Sequence, residues 1–278
     1  MSWSGPILDN HLHLDSARGR GLDAVRDFDR AGGTHLIVIN RPSWGYGVDV
    51  RDAEDFRVGY DATVELVERS TEILDGRAWA GLGVHPALVT RLLEDREMAA
   101  EEVATIMRSG IDEAARYVES GHAIAIKSGR PHYDVTSQAW DISNEVMRYA
   151  FERGADCDCA VQLHTEASED LSTICEWAAG AGMDPTRVVK HYASGSLRGP
   201  IPSVIAREDA LLEAIDASQP FLMETDYLDD PDRPGAVLGP KTVPRRAAWL
   251  ANRGELDALE TAHVETPASV YGIDTLGC

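Results

Sequence analysis

Ile7-Leu8-Asp9-Asn10-His11-Leu12-His13-Leu14-Asp15 is an apolar run that closes on a His-x-His pair. Side chains two apart on a strand point to the same face, so His11 and His13 can present two imidazoles to one point, as a metal site requires. Taken alone, the pair is equally two histidines at an exposed strand end. The rest of the chain gives it weight, because the same kind of run recurs. Thr34-His35-Leu36-Ile37-Val38-Ile39-Asn40, Ala78-Trp79-Ala80-Gly81-Leu82-Gly83-Val84-His85, Ala123-Ile124-Ala125-Ile126-Lys127, Ala160-Val161-Gln162-Leu163-His164, Val188-Val189-Lys190-His191 and Phe221-Leu222-Met223-Glu224-Thr225-Asp226 are all short, apolar and capped by a polar residue. Uninterrupted apolar runs of this length suit strands buried on both faces.

Between the runs lie segments with helical spacing at 22–31, 62–74, 99–118, 142–151 and 171–179, many of them stopped near a glycine. Strand alternating with helix along a whole chain implies a parallel sheet with crossover helices. With a weaker run at 201–206 as the seventh, the pattern amounts to about eight units, the number in a (β/α)8 TIM barrel. The expected fold class is therefore α/β, a (β/α)8 TIM barrel formed by one domain over 1–278. A doubly wound open sheet is the competitor. It explains less, because only a barrel brings every strand C-terminus to one face, where His11, His13, His85, Lys127, His164, His191 and Asp226 would meet.

These motifs, taken in order, resemble a known family. Asp9-Asn10-His11-Leu12-His13 after the first strand, Gly83-Val84-His85-Pro86 after the third, His164 after the fifth, His191-Tyr192-Ala193-Ser194-Gly195 after the sixth and Glu224-Thr225-Asp226 after the eighth are similar to the TatD-related metal-dependent hydrolases of the amidohydrolase-like barrel superfamily. The resemblance runs from Asp9 to Ser269-Val270-Tyr271-Gly272, which is similar to the family's closing helix. Lys241 and Pro244 stand where the family carries a basic residue and a proline. One position departs. The fourth strand of family members ends in Gly-Glu-x-Gly, whose glutamate bridges two metals, whereas this chain reads Ile126-Lys127-Ser128-Gly129. An ammonium has three donors and no lone pair, so Lys127 cannot bind a cation as it stands. A desolvated lysine can react with carbon dioxide to give a carbamate, which restores an anionic two-oxygen bridge. Lys127 resembles the bridging lysine of the phosphotriesterase, dihydroorotase and urease branches in this respect. The chain has three lysines, Lys127, Lys190 and Lys241, within a Lys+Arg total of 26, so each retained lysine invites a reason.

The resemblance implies a set of roles. His11 and His13 hold one divalent cation (zinc, manganese, magnesium or similar), His164 and His191 hold a second, and carbamylated Lys127 bridges them. Asp226 contacts a metal and takes the proton of the attacking water. Glu224 shares the face of Asp226 and is read as an orienting neighbour, and His85 as a substrate or outer contact, with a plain strand end at His85-Pro86 as the alternative. Apart from the resemblance, Arg130, Arg198, Lys241, Arg245 and Arg246 are candidates for a cationic rim, as is Lys190 directly before His191. His35, His122, His132 and His263 fit no ligand position. The expected activity is hydrolysis, by metal-activated water, of a phosphoester or DNA end or of a small ester or amide. The alternative is a mononuclear or non-catalytic metal-binding barrel. The loop Trp44-Gly45-Tyr46-Gly47, on the site's side of a barrel, is either an aromatic lid or a loop packed by its own rings.

Composition bears on partners and habitat. Asp+Glu total 47 against 26 basic residues, a formal charge of −21. Such a chain repels itself, and nucleic acid, in dilute buffer. At molar salt the Debye length falls to about 3 Å and the repulsion is screened. The expectation is a cytoplasmic protein of an extreme halophile, since the acids are spread along the chain rather than gathered in a tail. The start Met1-Ser2-Trp3-Ser4-Gly5-Pro6 has neither the basic segment nor the apolar core of a secretory signal, and no run approaches the ~18 apolar residues of a membrane span. Cys157, Cys159, Cys175 and Cys278 are too few for a disulfide framework in a chain of this length and are read as free thiols. No stable protein partner is implied.

Overall fold

The computed structural model describes residues 3–277, so Met1, Ser2 and Cys278, on which parts of the signal and thiol readings rest, lie outside the described residues. The strands and helices alternate as β1 (Leu8–His13), α1 (Leu22–Arg30), β2 (His35–Ile39), α2 (Ala53–Thr71), β3 (Ala78–Gly83), α3 (Ala87–Thr90), α4 (Ala100–Glu119), β4 (Ala125–Gly129), α5 (Ser137–Asp156), β5 (Ala160–His164), α6 (Ser172–Gly180), β6 (Val188–Ala193), β7 (Ile201–Ile205), α7 (Glu208–Asp216), β8 (Leu222–Glu224), β9 (Tyr227–Leu228), α8 (Thr242–Arg253), α9 (Leu256–Glu260) and α10 (Thr266–Tyr271). All pairings are parallel, in the order β8-β7-β6-β5-β4-β3-β2-β1-β9. β8 and β9 are one run interrupted at Thr225-Asp226. Its first half pairs with β7 and its second with β1, which closes the sheet into the expected barrel. At this seam the Asp9 carboxylate accepts the Thr225 amide at 3.0 Å and the Thr225 hydroxyl at 2.6 Å, and the Asp226 amide donates to His11 O at 2.9 Å.

The apolar runs become strands because both of their faces are covered. Every residue of β1, β2 and β4 is buried, with helices outside and side chains filling the barrel within. Two helices start earlier than their apolar spacing indicates, and the cause is capping. α2 begins at Ala53, where Asp52 and Asp55 form a reciprocal capping box. α5 begins at Ser137, where the Thr136 side chain accepts the Ala139 amide at 3.2 Å. Cys157 and Cys159 flank the end of α5 and the start of β5, at the opposite end of the barrel from the strand C-termini, and with Cys175 they are free thiols. Among the described residues no helix is long and apolar enough to cross a membrane.

His263, between α9 and α10, ties the closing helices to the sheet: it is fully buried and its Nδ1 accepts the Leu8 amide at 3.1 Å. Burial pushes its pKa down to about 3, so it stays neutral in the fold while the unfolded chain protonates near 6.5. The unfolded state then binds the extra proton, and the stability His263 supports above about pH 6.5 is lost as pH falls toward about 3, by up to ~1.4 kcal/mol per pH unit. His263→Asn, whose amide oxygen can keep the Leu8 bond, should flatten that part of the acid limb in urea unfolding curves. An unchanged slope would show that His263 is not the group responsible.

Candidate metal centre

The strand C-termini carry the histidines, and two local irregularities aim them. The β1–β2 register shifts between Asp9 and Leu12, and the β6–β7 register between Lys190 and Ala193, so a bulge lies beside His11 and another beside His191. Two residues of the site, Tyr192 (φ 55°) and Asp226 (φ 49°), adopt the left-handed conformation that non-glycine residues avoid. The turn at Tyr192 points its amide at Glu224 Oε1, 2.7 Å away, and the turn at Asp226 ends β8 and redirects the chain into β9. Gly129 ends β4 at φ 147°, and a Cβ there would lie 1.9 Å from His164 O. Only glycine lets β4 and β5 approach so closely where they deliver Lys127 and His164.

Hydrogen bonding fixes which nitrogen of each imidazole faces inward. His11 Nδ1 meets Gln162 Oε1 at 2.8 Å, and that amide is itself oriented because its nitrogen donates to Tyr271 Oη at 2.7 Å and to Asn10 O at 3.3 Å. His13 Nδ1 meets Ile39 O at 2.9 Å. His191 Nδ1 lies 3.4 Å from Glu224 Oε1, whose other oxygen accepts from Ser203. Each partner is an acceptor, so each Nδ1 carries the proton and each Nε2 presents a lone pair. The Nε2 atoms of His11 and His13 lie 3.9 and 3.8 Å from Asp226 Oδ1, and these three ligand atoms all lie within 4.8 Å of one another. His191 Nε2 lies 2.8 Å from His164 Nδ1, a hydrogen-bond distance at which one proton lies between the two nitrogens, in the place a cation would take. Acceptors converging on acceptors are unfavourable unless a cation or proton lies among them, and nitrogens and a carboxylate oxygen at this spacing fit a divalent transition metal. Glu224 also falls within 4.8 Å of ring nitrogens of His11 and His191. Its oxygens are taken by Ser203, Tyr192 and His191, which makes it the orienting partner expected from its place two residues before Asp226.

Burial keeps these groups in ligand form. It pushes His13 and His85 down to about 3 and His11, His164 and His191 well below their ordinary value, so all five are neutral at pH 7. Burial also raises Asp226 to about 6, against the pull of Lys127 and Lys190. Lys127 lies among them, 3 % exposed, with Nζ 3.0 Å from His11 Nε2, and burial lowers its pKa to about 8.

His85 belongs to the cluster, its ring centroid 4.9 Å from that of His164 and 5.8 Å from that of Trp44. The two rings of the aromatic loop have different neighbours. Tyr46 packs inward, its hydroxyl accepting the Arg41 amide at 3.2 Å, while Trp44 sets its edge on His85. Two of the proposed rim cations, Arg130 and Lys241, stand apart. Arg130 is committed to Glu166 (Nε to Oε2, 2.7 Å) and Asn144 (3.1 Å) with Trp140 against its face, and Lys241 pairs with Asp27 at 3.2 Å. Neither side chain lines the adjoining cavity of about 390 Å³, whose walls include His164, His191, Asp226, Lys190 and Tyr192. Lys190 is buried there, its Nζ donating to His191 O at 2.5 Å. His132 also lines the cavity, and its Nδ1 is 2.7 Å from His164 Nε2. The sequence reading set it aside because it belongs to no strand-end motif. The available signal was its place in the loop after β4, on the face where a barrel gathers its functional groups.

Comparison with known proteins bears on the fold and the family. A protein of Methanocaldococcus jannaschii described as uncharacterized is 34 % identical over 284 residues, covering 97 % of this chain and 96 % of its own. Among solved structures, an amidohydrolase from Mycoplasma synoviae superposes with a TM-score of 0.63 at 14 % identity over 95 % of this chain and 87 % of its own. The organophosphorus hydrolase from Deinococcus radiodurans does so with a TM-score of 0.58 at 15 % identity over 97 % and 93 %. At such identities the likeness is one of fold. Residues 8–200, which carry the two bulged histidine strands and Lys127, match the family described as TatD related DNase, and the chain belongs to that family.

Proposed function

We propose that the protein is a hydrolase with a binuclear metal centre in which His11, His13 and Asp226 hold one divalent cation, His164 and His191 a second, and a carbamate on Lys127 joins them. The observation that carries this reading is the convergence of the His11 and His13 ring nitrogens and the Asp226 carboxylate oxygen on one point at the barrel mouth, with the His164–His191 nitrogen pair in the same cluster. Cations held there supply an acidified water at neutral pH and a Lewis acid for the substrate's carbonyl or phosphoryl oxygen. The chain does the rest. Asp226, half in the cavity, takes the proton of the attacking water, and Gln162, Ile39 O and Glu224 keep the imidazoles from turning. The carbamate would form as the neutral Lys127 amine attacks carbon dioxide, making an N–C bond as one C=O π pair moves onto oxygen and the nitrogen releases one proton to solvent.

A cavity of about 390 Å³ in a chain of charge −21 suits a small phosphoester, ester or amide, or the end of a nucleic acid strand, better than a long duplex. The test is turnover of a panel of aryl phosphates, lactones, cyclic amides and short oligonucleotides before and after chelation. Loss with chelator and return with zinc, manganese or cobalt is expected, and chelator-insensitive turnover would contradict the reading. One observation favours a second reading. With Nζ 3.0 Å from His11 Nε2, Lys127 as an ammonium would donate into a ligand lone pair and repel a second cation, giving a mononuclear or non-catalytic barrel.

The proposed setting is the cytoplasm of an organism living at high salt. Raising KCl from about 0.1 to about 3 M, where the Debye length shrinks from ~10 to below ~3 Å, should raise the melting temperature. Equal melting temperatures at both concentrations would remove that part of the proposal.

A further inference from the structure

Three of the four inward-facing imidazoles are alike: His11, His13 and His191 each give Nδ1–H to an oxygen and present Nε2. His164 is turned the other way. Its Nδ1 faces His191 Nε2 at 2.8 Å, so its outward nitrogen is Nε2. Among the described residues, the partner recorded for that nitrogen is His132 Nδ1, at 2.7 Å, with the rings edge to face and 4.8 Å apart.

The chain holds His132 in place. Arg130, two residues before it in the β4–α5 loop, forks onto Glu166, two residues after His164 in the β5–α6 loop, so one ion pair ties the two loops together beside the ring contact. Asn144 on α5 accepts a further Arg130 N–H at 3.1 Å and Trp140 covers the guanidinium face at 4.6 Å, which keeps that fork rigid. Pro131 fixes the backbone between Arg130 and His132. The role of Arg130 follows from this: it is the anchor of the loop that carries His132.

We propose that His132 is a positioning residue for the second cation: when that cation takes the place of the proton between His164 Nδ1 and His191 Nε2, His132 Nδ1 accepts the Nε2–H of His164 and so fixes the tautomer in which His164 Nδ1 offers its lone pair to the cation beside His191 Nε2. This rests on the two-cation reading above. An imidazole released from its outer acceptor can carry its proton on either nitrogen and turn about its χ angles, and removal of such outer partners typically weakens metal binding ~10- to 100-fold.

The experiment is calorimetric titration of the chelated full-length protein with Co²⁺, in bicarbonate and molar KCl, for wild type, His132→Phe and His132→Asn. The visible spectrum is recorded at each equivalent, and circular dichroism verifies that all three are folded. His132 is on an exposed loop, and the asparagine oxygen replaces the acceptor. Expected are two Co²⁺ equivalents for wild type, a second equivalent weakened ~10- to 100-fold with an altered spectrum in His132→Phe, and near wild-type binding in His132→Asn, the first equivalent staying within ~2-fold throughout. Two equivalents bound normally by His132→Phe, equal weakening of both, or failure of His132→Asn to restore the second would overturn the role of His132 while leaving the binuclear centre standing. Uptake of one equivalent or none by the wild type would overturn the binuclear centre itself, and this proposal with it.

Discussion

Lys127→Ala should reduce the metal content of the purified protein from about two equivalents per chain to about one, and acetate or propionate should restore both the second equivalent and turnover. The expectation comes from where the side chain lies. Lys127 is 3 % exposed and its Nζ lies against His11, close enough for its charge to act on His13, His164, His191 and Asp226. Carboxylated, it supplies two anionic oxygens. Truncated, it leaves a space three methylenes and an amine long that a short carboxylate can enter, and the second cation then depends on two neutral imidazoles. Metal analysis and hydrolysis of the best substrate in the panel, each with and without added carboxylate, check this. Full metal content and activity in Lys127→Ala without rescue would show that the lysine is no bridge.

Asp226→Asn should leave the fold intact and lower kcat by ~100- to 10,000-fold, the range that positioned proton acceptors contribute. The left-handed backbone at Asp226 is tolerated by asparagine, and the amide bond to His11 O does not involve the side chain, so the seam of the barrel survives the substitution. What disappears is the anionic oxygen, as proton acceptor and as charged ligand of the first cation, so metal content is measured beside activity. Comparing kcat with melting temperature and metal content separates proton transfer from folding and metal binding, and activity within tenfold of wild type would remove Asp226 from proton transfer.

The barrel was legible in the sequence because parallel strands covered on both faces read as apolar runs, and a polar residue at the end of each run marks the catalytic rim. His11, His13, His164, His191 and Asp226 could be named for that reason. The reading missed what depends on long-range partners. The break between β8 and β9 comes from the Asp9–Thr225 bonds, joining residues at opposite ends of the barrel run. Arg130 looked like a free cation because nothing local shows that Glu166 and Asn144 take its donors. His132 was passed over because a loop histidine carries no periodicity, and its significance comes from the ring opposite it.

The central claim is a pair of cations joined through a modified lysine. Elemental analysis of protein purified in molar salt with bicarbonate, together with crystallographic density at the Lys127 side chain, tests it most directly. The account predicts two transition-metal ions per chain and a carboxyl group on Lys127 Nζ. One ion or none, with a bare ammonium at Lys127, would contradict it.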